Sequence, residues 1–268
     1  MSDTGEDRRP ARPGRRNVVR GIGLAAGGLF AAGAGFATEQ AWRGDGPPTP
    51  ASAASVDSWQ PPDRQVDVVW SVDIRRRLVA LTFDDGPMAK WTPQALDALD
   101  EAAVPATFFV VGSRLVRNAH LVEGRLGRHE IGNHTWNHDD LSKLSLAHAY
   151  RSIHRTHEAI QQVTGRTPRL LRPPWGRLGG TTLHVAAQHG YDIALWSLLV
   201  QDLRLSREPA EMVSAVVDNA RPGTIVLAHD VGARSREAAV ERLPAMIRGL
   251  RGRGFDFVTV SQLRRAAL

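Results

Sequence analysis

LVALTFDDGP, residues 78–87, is the stretch on which the reading of the whole chain turns. It is a strand-like apolar run that closes on two neighbouring carboxylates, Asp84 and Asp85, and breaks at Gly86-Pro87. Adjacent acids repel, and at the end of a buried strand each one also costs desolvation. Some partner must hold them.

Working outward, the same kind of short apolar, β-branched or aromatic run recurs at 106–111, 129–132, 169–172, 192–198, 224–228 and 255–260. Segments with helical spacing separate these runs. Residues 92–103 place Leu96 and Leu99 on one face, with Thr92 read as N-cap and Pro93 at the first helical position. Residues 146–164 form a second helix that stops at Gly165, and 209–219 and 238–251 give two more. Seven strands alternating with helices argue for an α/β fold with a parallel sheet, either doubly wound or closed into a barrel.

Upstream of this domain, residues 43–67 are rich in Pro, Ala, Ser and Gly and lack hydrophobic period, as a linker does. Residues 1–42 hold Arg15, Arg16 and Arg20 ahead of a Gly- and Ala-rich apolar stretch that runs to about Ala37. The Arg15-Arg16 pair has the look of a twin-arginine signal, so the export machinery of that class is an expected partner. The domain, 68–268, is then expected outside the cell, either secreted or anchored at the outer face and associated with the wall. The sequence leaves open whether the segment is cleaved or stays as an anchor.

The chain of 268 residues is 42% hydrophobic and 23% charged, enough for one domain with a sizeable core. It contains no cysteine, which removes disulfides, thiolate metal sites and thiol nucleophiles. Any metal must be held by His, Asp or Glu. The formal charge of +6 comes almost wholly from Arg. No basic run interleaves with aromatics, which speaks against nucleic acid; an anionic surface such as a bacterial cell wall fits the excess better. A monomer is expected.

In parallel α/β folds the loops after the strands converge on one face. Here those positions carry Asp84 and Asp85, His134 and His138, Arg172, Trp196 and Asp202, and His229 and Asp230. HTWNH, residues 134–138, places two imidazoles four residues apart, a pair that with one carboxylate makes a zinc-type site with an open position. A divalent ion also answers the opening problem, since one aspartate can ligate it while its charge offsets repulsion on the other. The second aspartate can then take a proton, and His229 is the candidate acid. Arg172 can hold the base aspartate by a charge-assisted hydrogen bond. RPPWG, residues 172–176, is a rigid turn whose Trp175 suits stacking on a sugar ring. His120, His129, His148, His154, His157, His184 and His189 fall on predicted helices or solvent-facing loops and are given no role.

TFDDGP, HTWNH, RPPWG and LAH, in that order, resemble the carbohydrate esterase family 4 polysaccharide deacetylases, with their nodulation-factor deacetylase homology domain. The resemblance covers residues 78 to about 263. It implies an irregular, incomplete (β/α) barrel and a metal-dependent deacetylase acting on the N-acetyl groups of peptidoglycan or a chitin-like glycan. It makes Asp84 the general base and Arg172 the residue that orients it, and assigns Asp85, His134 and His138 to a divalent metal. That metal is zinc, with cobalt or nickel as alternatives. His229 becomes the general acid, acting on a water activated at the ion. Pro173, Trp175 and Leu227 would line the substrate pocket. An oxyanion amide is expected near Thr135 or in the turn after Pro87. O-acetyl ester hydrolysis on xylan or a wall sugar uses the same site, and a glycan-binding protein on the same scaffold is the non-catalytic alternative.

One stretch departs from the family. WSLLVQDL, residues 196–203, has Leu199 where the family carries an acid that tunes the catalytic imidazole, and Leu203 where it carries Trp. Asp202 or Asp230 could substitute for that acid.

Overall fold

The computed structural model describes residues 65–201, 204–205, 207–232 and 234–267. The expected signal or anchor, the linker up to residue 64, and Asp202 and Leu203 lie outside these residues.

The strands are β1 (Val68–Val69), β2 (Leu78–Asp84), β3 (Thr107–Val110), β4 (Glu130–Asn133), β5 (Leu170–Leu171), β6 (Asp192–Ala194), β7 (Leu198–Leu199), β8 (Thr224–His229) and β9 (Asp256–Phe257). They form one sheet in the order β1-β6-β5-β4-β3-β2-β8-β7, with β9 added on β2. Every strand pair is parallel. The ring is stitched rather than closed. After pairing with β6 through β1, the chain makes a single antiparallel bridge from Ser71 to Thr224 on β8. This is the expected incomplete (β/α) barrel, with two more strands than the sequence suggested. β1 had no apolar run long enough to be seen, and the run at 192–198 divides into β6 and β7 where the chain crosses toward β8.

The helices are α1 (Trp91–Glu101), α2 (Gly112–Arg117), α3 (Leu146–Thr164), α4 (Gly180–His189), α5 (Pro209–Asn219), α6 (Arg234–Gly252) and α7 (Val260–Arg265). α3 and α5 have the expected bounds. Ser145 caps α3, and Gly165 ends it with φ 66°, a left-handed turn that a Cβ would strain. α1 starts at Trp91 with Lys90 at the N-cap position and no side-chain cap, so Thr92 and Pro93 fall at its second and third positions; the Thr92 hydroxyl accepts from Met88 N and donates to Asp230. α6 begins four residues before the predicted 238, and α7 replaces the end of the last predicted strand. α4 was not expected: it opens on Gly180, Thr181 and Thr182, and its buried face of Thr182, Val185, Ala186 and Ala187 is small, so packing rather than propensity holds it.

β2 is buried along its whole length, and its side chains alternate between two cores. Val79, Leu81 and Phe83 pack outward with Leu96, Leu99, Val216, Leu243 and Met246 beneath the helices. Leu78 and Ala80 point inward with Phe109, Leu170 and Ile225, and α7 caps this inner core with Val260 and Leu263. By the same alternation Thr82 and Asp84 belong to the inner face, above that plug. Among the described residues no helix is long and apolar enough to cross a membrane.

Candidate metal centre and active site

Because the strands are parallel, their C-terminal ends deliver side chains to one rim. Asp84 ends β2 and stands in register with His229, which ends β8. His134 follows β4, and Arg172 follows β5. The four expected strand-end groups therefore meet.

The turn after β2 sends the two aspartates different ways. Asp85 has φ 79°, a left-handed backbone that turns its carboxylate away from the strand direction. Of seven described non-glycine residues with positive φ, four line this site: Asp85, Thr135, His138 and Trp175. Backbone strain of about 1 kcal/mol or more each is thus concentrated where the side chains must be aimed.

Asp85 Oδ2 accepts a hydrogen bond from Arg236 Nη1 at 2.8 Å, and its main-chain carbonyl accepts one from Arg114 at 2.7 Å. Oδ1 is buried and accepts none, although His138 Nε2 stands 3.1 Å away and His134 Nε2 3.5 Å. Three donor atoms from Asp85, His134 and His138 lie within 4.8 Å of one another. Tetrahedral zinc with bonds of about 2.0–2.1 Å separates its ligand atoms by about 3.3 Å, close to the two Asp85–histidine separations, so this donor set suits a divalent ion. His134 Nδ1 lies 2.6 Å from the Arg172 carbonyl and donates to it, which leaves the Nε2 lone pair for the metal side.

The charges agree with the geometry. Burial alone would raise the Asp85 carboxyl, but His134, His138 and His229 outweigh it and hold the group well below the usual carboxylate range. Burial disfavours a charged His134, yet Asp84 and Asp85 draw it upward. His138 is shifted down, chiefly by burial, toward the neutral form that ligates.

Asp84 is held differently. Arg172 is wholly buried, and its guanidinium donates to Asp84 Oδ1 at 2.7 Å, Thr82 Oγ1 at 2.8 Å, and the carbonyls of Ala194 and Leu195 at 2.9 Å each. Its face lies 4.0 Å from the centroid of Phe109. The second oxygen of Asp84 stays turned toward the site, 3.7 Å from His134 Nε2.

Several residues whose roles sequence reasoning missed complete the frame. Asp230 is buried beneath the first motif, where Oδ1 accepts from Gly86 N at 3.1 Å and Oδ2 from Thr92 Oγ1 at 2.5 Å. Burial pushes its carboxyl up to about 6. Asp230 therefore pins the turn that carries Asp85 and does not substitute for the acid absent at Leu199. Gly86 is required here, since a Cβ would collide with the Asp230 carboxylate. Asn133 bonds Ile153 O and Tyr191 through Nδ2 and receives the Thr135 amide. Arg236 comes from α6, where no motif marks it. The only available signal for Asp230 was its place after His229.

Trp175 is 55% exposed, with its ring 4.4 Å from that of His138. Leu227 and Pro173 are buried. Leu199 sits on β7 in register with Leu227 and is 38% exposed. Both places expected to offer an oxyanion amide are occupied. Thr135 N donates to Asn133 Oδ1 at 2.9 Å, and Met88 N donates to Thr92 Oγ1 at 2.8 Å. The histidines set aside are not all exposed. His129 is buried, and His154, His157 and His189 cluster with Tyr150 and Tyr191.

A family profile described as polysaccharide deacetylase matches residues 71–194. Over 201 residues the chain is 39% identical to a peptidoglycan-N-acetylglucosamine deacetylase of Bacillus cereus, a match spanning 74% of this chain and 93% of that protein. It is 35% identical over 201 residues to a chitooligosaccharide deacetylase of a Bradyrhizobium species, covering 70% of this chain and 90% of that one. A crystal structure of a peptidoglycan N-acetylglucosamine deacetylase matches with a TM-score of 0.69 at 30% identity, over 73% of this chain and 92% of that one. The chain belongs to the polysaccharide deacetylase family and is a hydrolase.

Proposed function

We propose that this enzyme removes N-acetyl groups from a cell-wall or chitin-like glycan, releasing acetate and leaving an amine on the sugar. The observation that carries the reading is the division between the two aspartates. Asp84 is locked to a buried arginine, while Asp85 turns a buried, unbonded oxygen toward two imidazoles. Asp85, His134 and His138 would hold zinc or a similar ion, which supplies Lewis-acid polarisation of the acetyl carbonyl.

The chain's own residues supply the proton transfers. Asp84, fixed through Oδ1 and open at Oδ2, takes the proton of the attacking water. His229, in register with Asp84 on the neighbouring strand, gives a proton to the sugar nitrogen as the carbon–nitrogen bond breaks. Arg172 compensates the Asp84 charge and fixes its orientation. Trp175 offers an aromatic face beside the metal donors, and Leu227 offers an apolar wall for the acetyl methyl. Residues 15–37 support twin-arginine export and an extracytoplasmic site of action.

The test is acetate release from peptidoglycan, chito-oligosaccharide and acetylxylan, with chelator and with Asp84→Asn as controls. Release from the first two that both controls abolish is the expected result. Activity confined to acetylxylan would replace amide with ester hydrolysis. Inactivity of metal-loaded protein on all three would leave a glycan-binding role.

A further inference from the structure

At the end of the sheet opposite the catalytic rim, Arg128, Arg166, Arg169 and Arg265 surround an open recess of about 360 Å³. Glu130 is the carboxylate lining it, and both its oxygens are engaged, by Thr107 and by the Ser261 amide and hydroxyl. Arg166 is held in place by the carbonyls of Leu126 and His129 at 2.8 and 2.9 Å, bonds that position the guanidinium without cancelling its charge. Arg128 makes a long, solvent-exposed ion pair with Asp100, at 3.9 Å, and Asp100 is shared with Arg125. Arg169 and Arg265 are exposed, and neither pairs with an acid among the described residues. The neighbouring Arg264 differs, being engaged by Asp67 and Asp192 at 2.6 Å each. The recess therefore carries a surplus of fixed positive charge facing water.

The described residues begin at the same end of the sheet. Asp67 N donates to Asp192 Oδ1, and Asp192 N donates to the carbonyl of Arg169 on the recess rim. The apolar segment at 21–37 and the arginines before it lie upstream of that point. The seven residues of β2 separate the basic end from Asp84 by about 20 Å, roughly two Debye lengths at physiological salt.

We propose that this basic end is a docking face for anionic lipid headgroups. It seats the domain on the membrane that holds its own N-terminus, with the catalytic rim turned outward to the wall. The proposal rests on the proposed export and takes, of the two alternatives for the N-terminal segment, the one in which it stays as an anchor. Phosphate oxygens match a ring of guanidinium groups, and a retained anchor would keep the domain near a bilayer.

The chain has no cysteine, so single labels can be introduced into the full-length protein. Thr167→Cys marks the recess rim, and Val116→Cys on α2 marks the opposite end; both positions are exposed. Each would carry an environment-sensitive fluorophore, with vesicles of phosphatidylcholine alone or with a third phosphatidylglycerol, and with headgroup spin-labelled lipid as quencher. Flotation on phosphatidylcholine reads the anchor, and protein that stays in the pellet sinks the anchor and the proposal together.

For protein that floats on both vesicles, quenching at Thr167→Cys but not Val116→Cys is expected with phosphatidylglycerol, weakening as salt is added. Replacing Arg128, Arg169 and Arg265 by Ala should lower the ratio of seated to unseated domain on the order of 100-fold, at about fivefold per arginine. Replacing the exposed Arg207, Arg242 and Arg248 by Ala removes the same charge elsewhere and should leave it unchanged. Equal quenching at the two labels, or an equal effect of the two triple variants, keeps the anchor and overturns the docking face. Unchanged quenching by the recess variant with weaker retention on purified anionic wall polymer would assign the face to the wall instead.

Discussion

Arg172 and Asp84, 88 positions apart in the chain, meet at 2.7 Å with the guanidinium wholly buried. A buried charge pair of this kind is weak evidence for stability, because desolvation offsets much of the attraction. Its value lies in position: four hydrogen bonds fix the guanidinium, and the one to Oδ1 orients the Asp84 carboxylate. Removing a single partner exposes the cost. Arg172→Met should lower unfolding free energy by about 3–5 kcal/mol, measured by urea denaturation, and abolish acetate release. Adding Asp84→Asn should recover part of that stability and none of the activity. A double variant no more stable than Arg172→Met would show that packing on Phe109, not charge, sets the loss.

Metal affinity should depend on Arg236 although it cannot ligate. Its bond to Asp85 Oδ2 fixes the carboxylate so that Oδ1 faces His134 and His138. Loss of an outer hydrogen bond of this type typically costs 10–100-fold in metal affinity. Arg236→Gln is expected to fall in that range by competition with a chromophoric chelator, whereas Asp85→Asn should lose stoichiometric metal altogether. Equal affinity in Arg236→Gln and the native chain would mean that the arginine only fills space.

The contact between Gly86 and Asp230 couples the outer core to the metal side of the turn. Gly86→Ala drives a methyl into a buried carboxylate that already bonds Gly86 N and Thr92. Overpacking of this sort costs about 1–3 kcal/mol. Because the strain falls one residue from Asp85, metal affinity should drop with stability. Gly86→Ala combined with Asp230→Ala should regain stability by relieving the clash while affinity stays low, since the turn has lost its pin. Recovery of both would place the defect in packing alone.

The parts of the site that could be read in the sequence are those that local chemistry dictates. An apolar run ending in two acids, a His pair at spacing four, and an arginine at a Pro-Pro turn all announce themselves, and a parallel sheet brings strand ends to one rim wherever it curves. Residues whose role depends on an unrelated element were not legible. Arg236 reaches Asp85 from a helix 151 positions away, and Thr92 looked like a cap because nothing local shows that its hydroxyl faces Asp230. β1 and β7 are two residues each, too short for any periodicity, yet β1 leads into the Ser71–Thr224 bridge that stitches the barrel and β7 extends the sheet beyond β8. Leu199 could be read as a departure, and the structure adds that it stands beside Leu227 with part of its surface in solvent.

His129 should make the fold sensitive to acid. Its ring is buried against Phe108, and Nδ1 accepts the Ala106 amide at 3.1 Å, so that nitrogen cannot carry a proton in the folded state. Burial pushes the imidazole down to about 4; Asp100, 3.8 Å from Nε2, pulls the other way, and Arg128 and Arg125 add to the depression. The folded value lies below the unfolded value of 6.5, so protonation favours the unfolded chain. The stabilisation is complete above pH 6.5 and is lost as pH falls toward 4, with a limiting size of about 3 kcal/mol. His129→Asn keeps an acceptor near the Ala106 amide but cannot titrate. It should be less stable at pH 7, through lost packing, and should show a flatter decline between pH 6.5 and 4 when unfolding is followed by urea at each pH. Parallel declines for the two proteins would assign the acid sensitivity to another group.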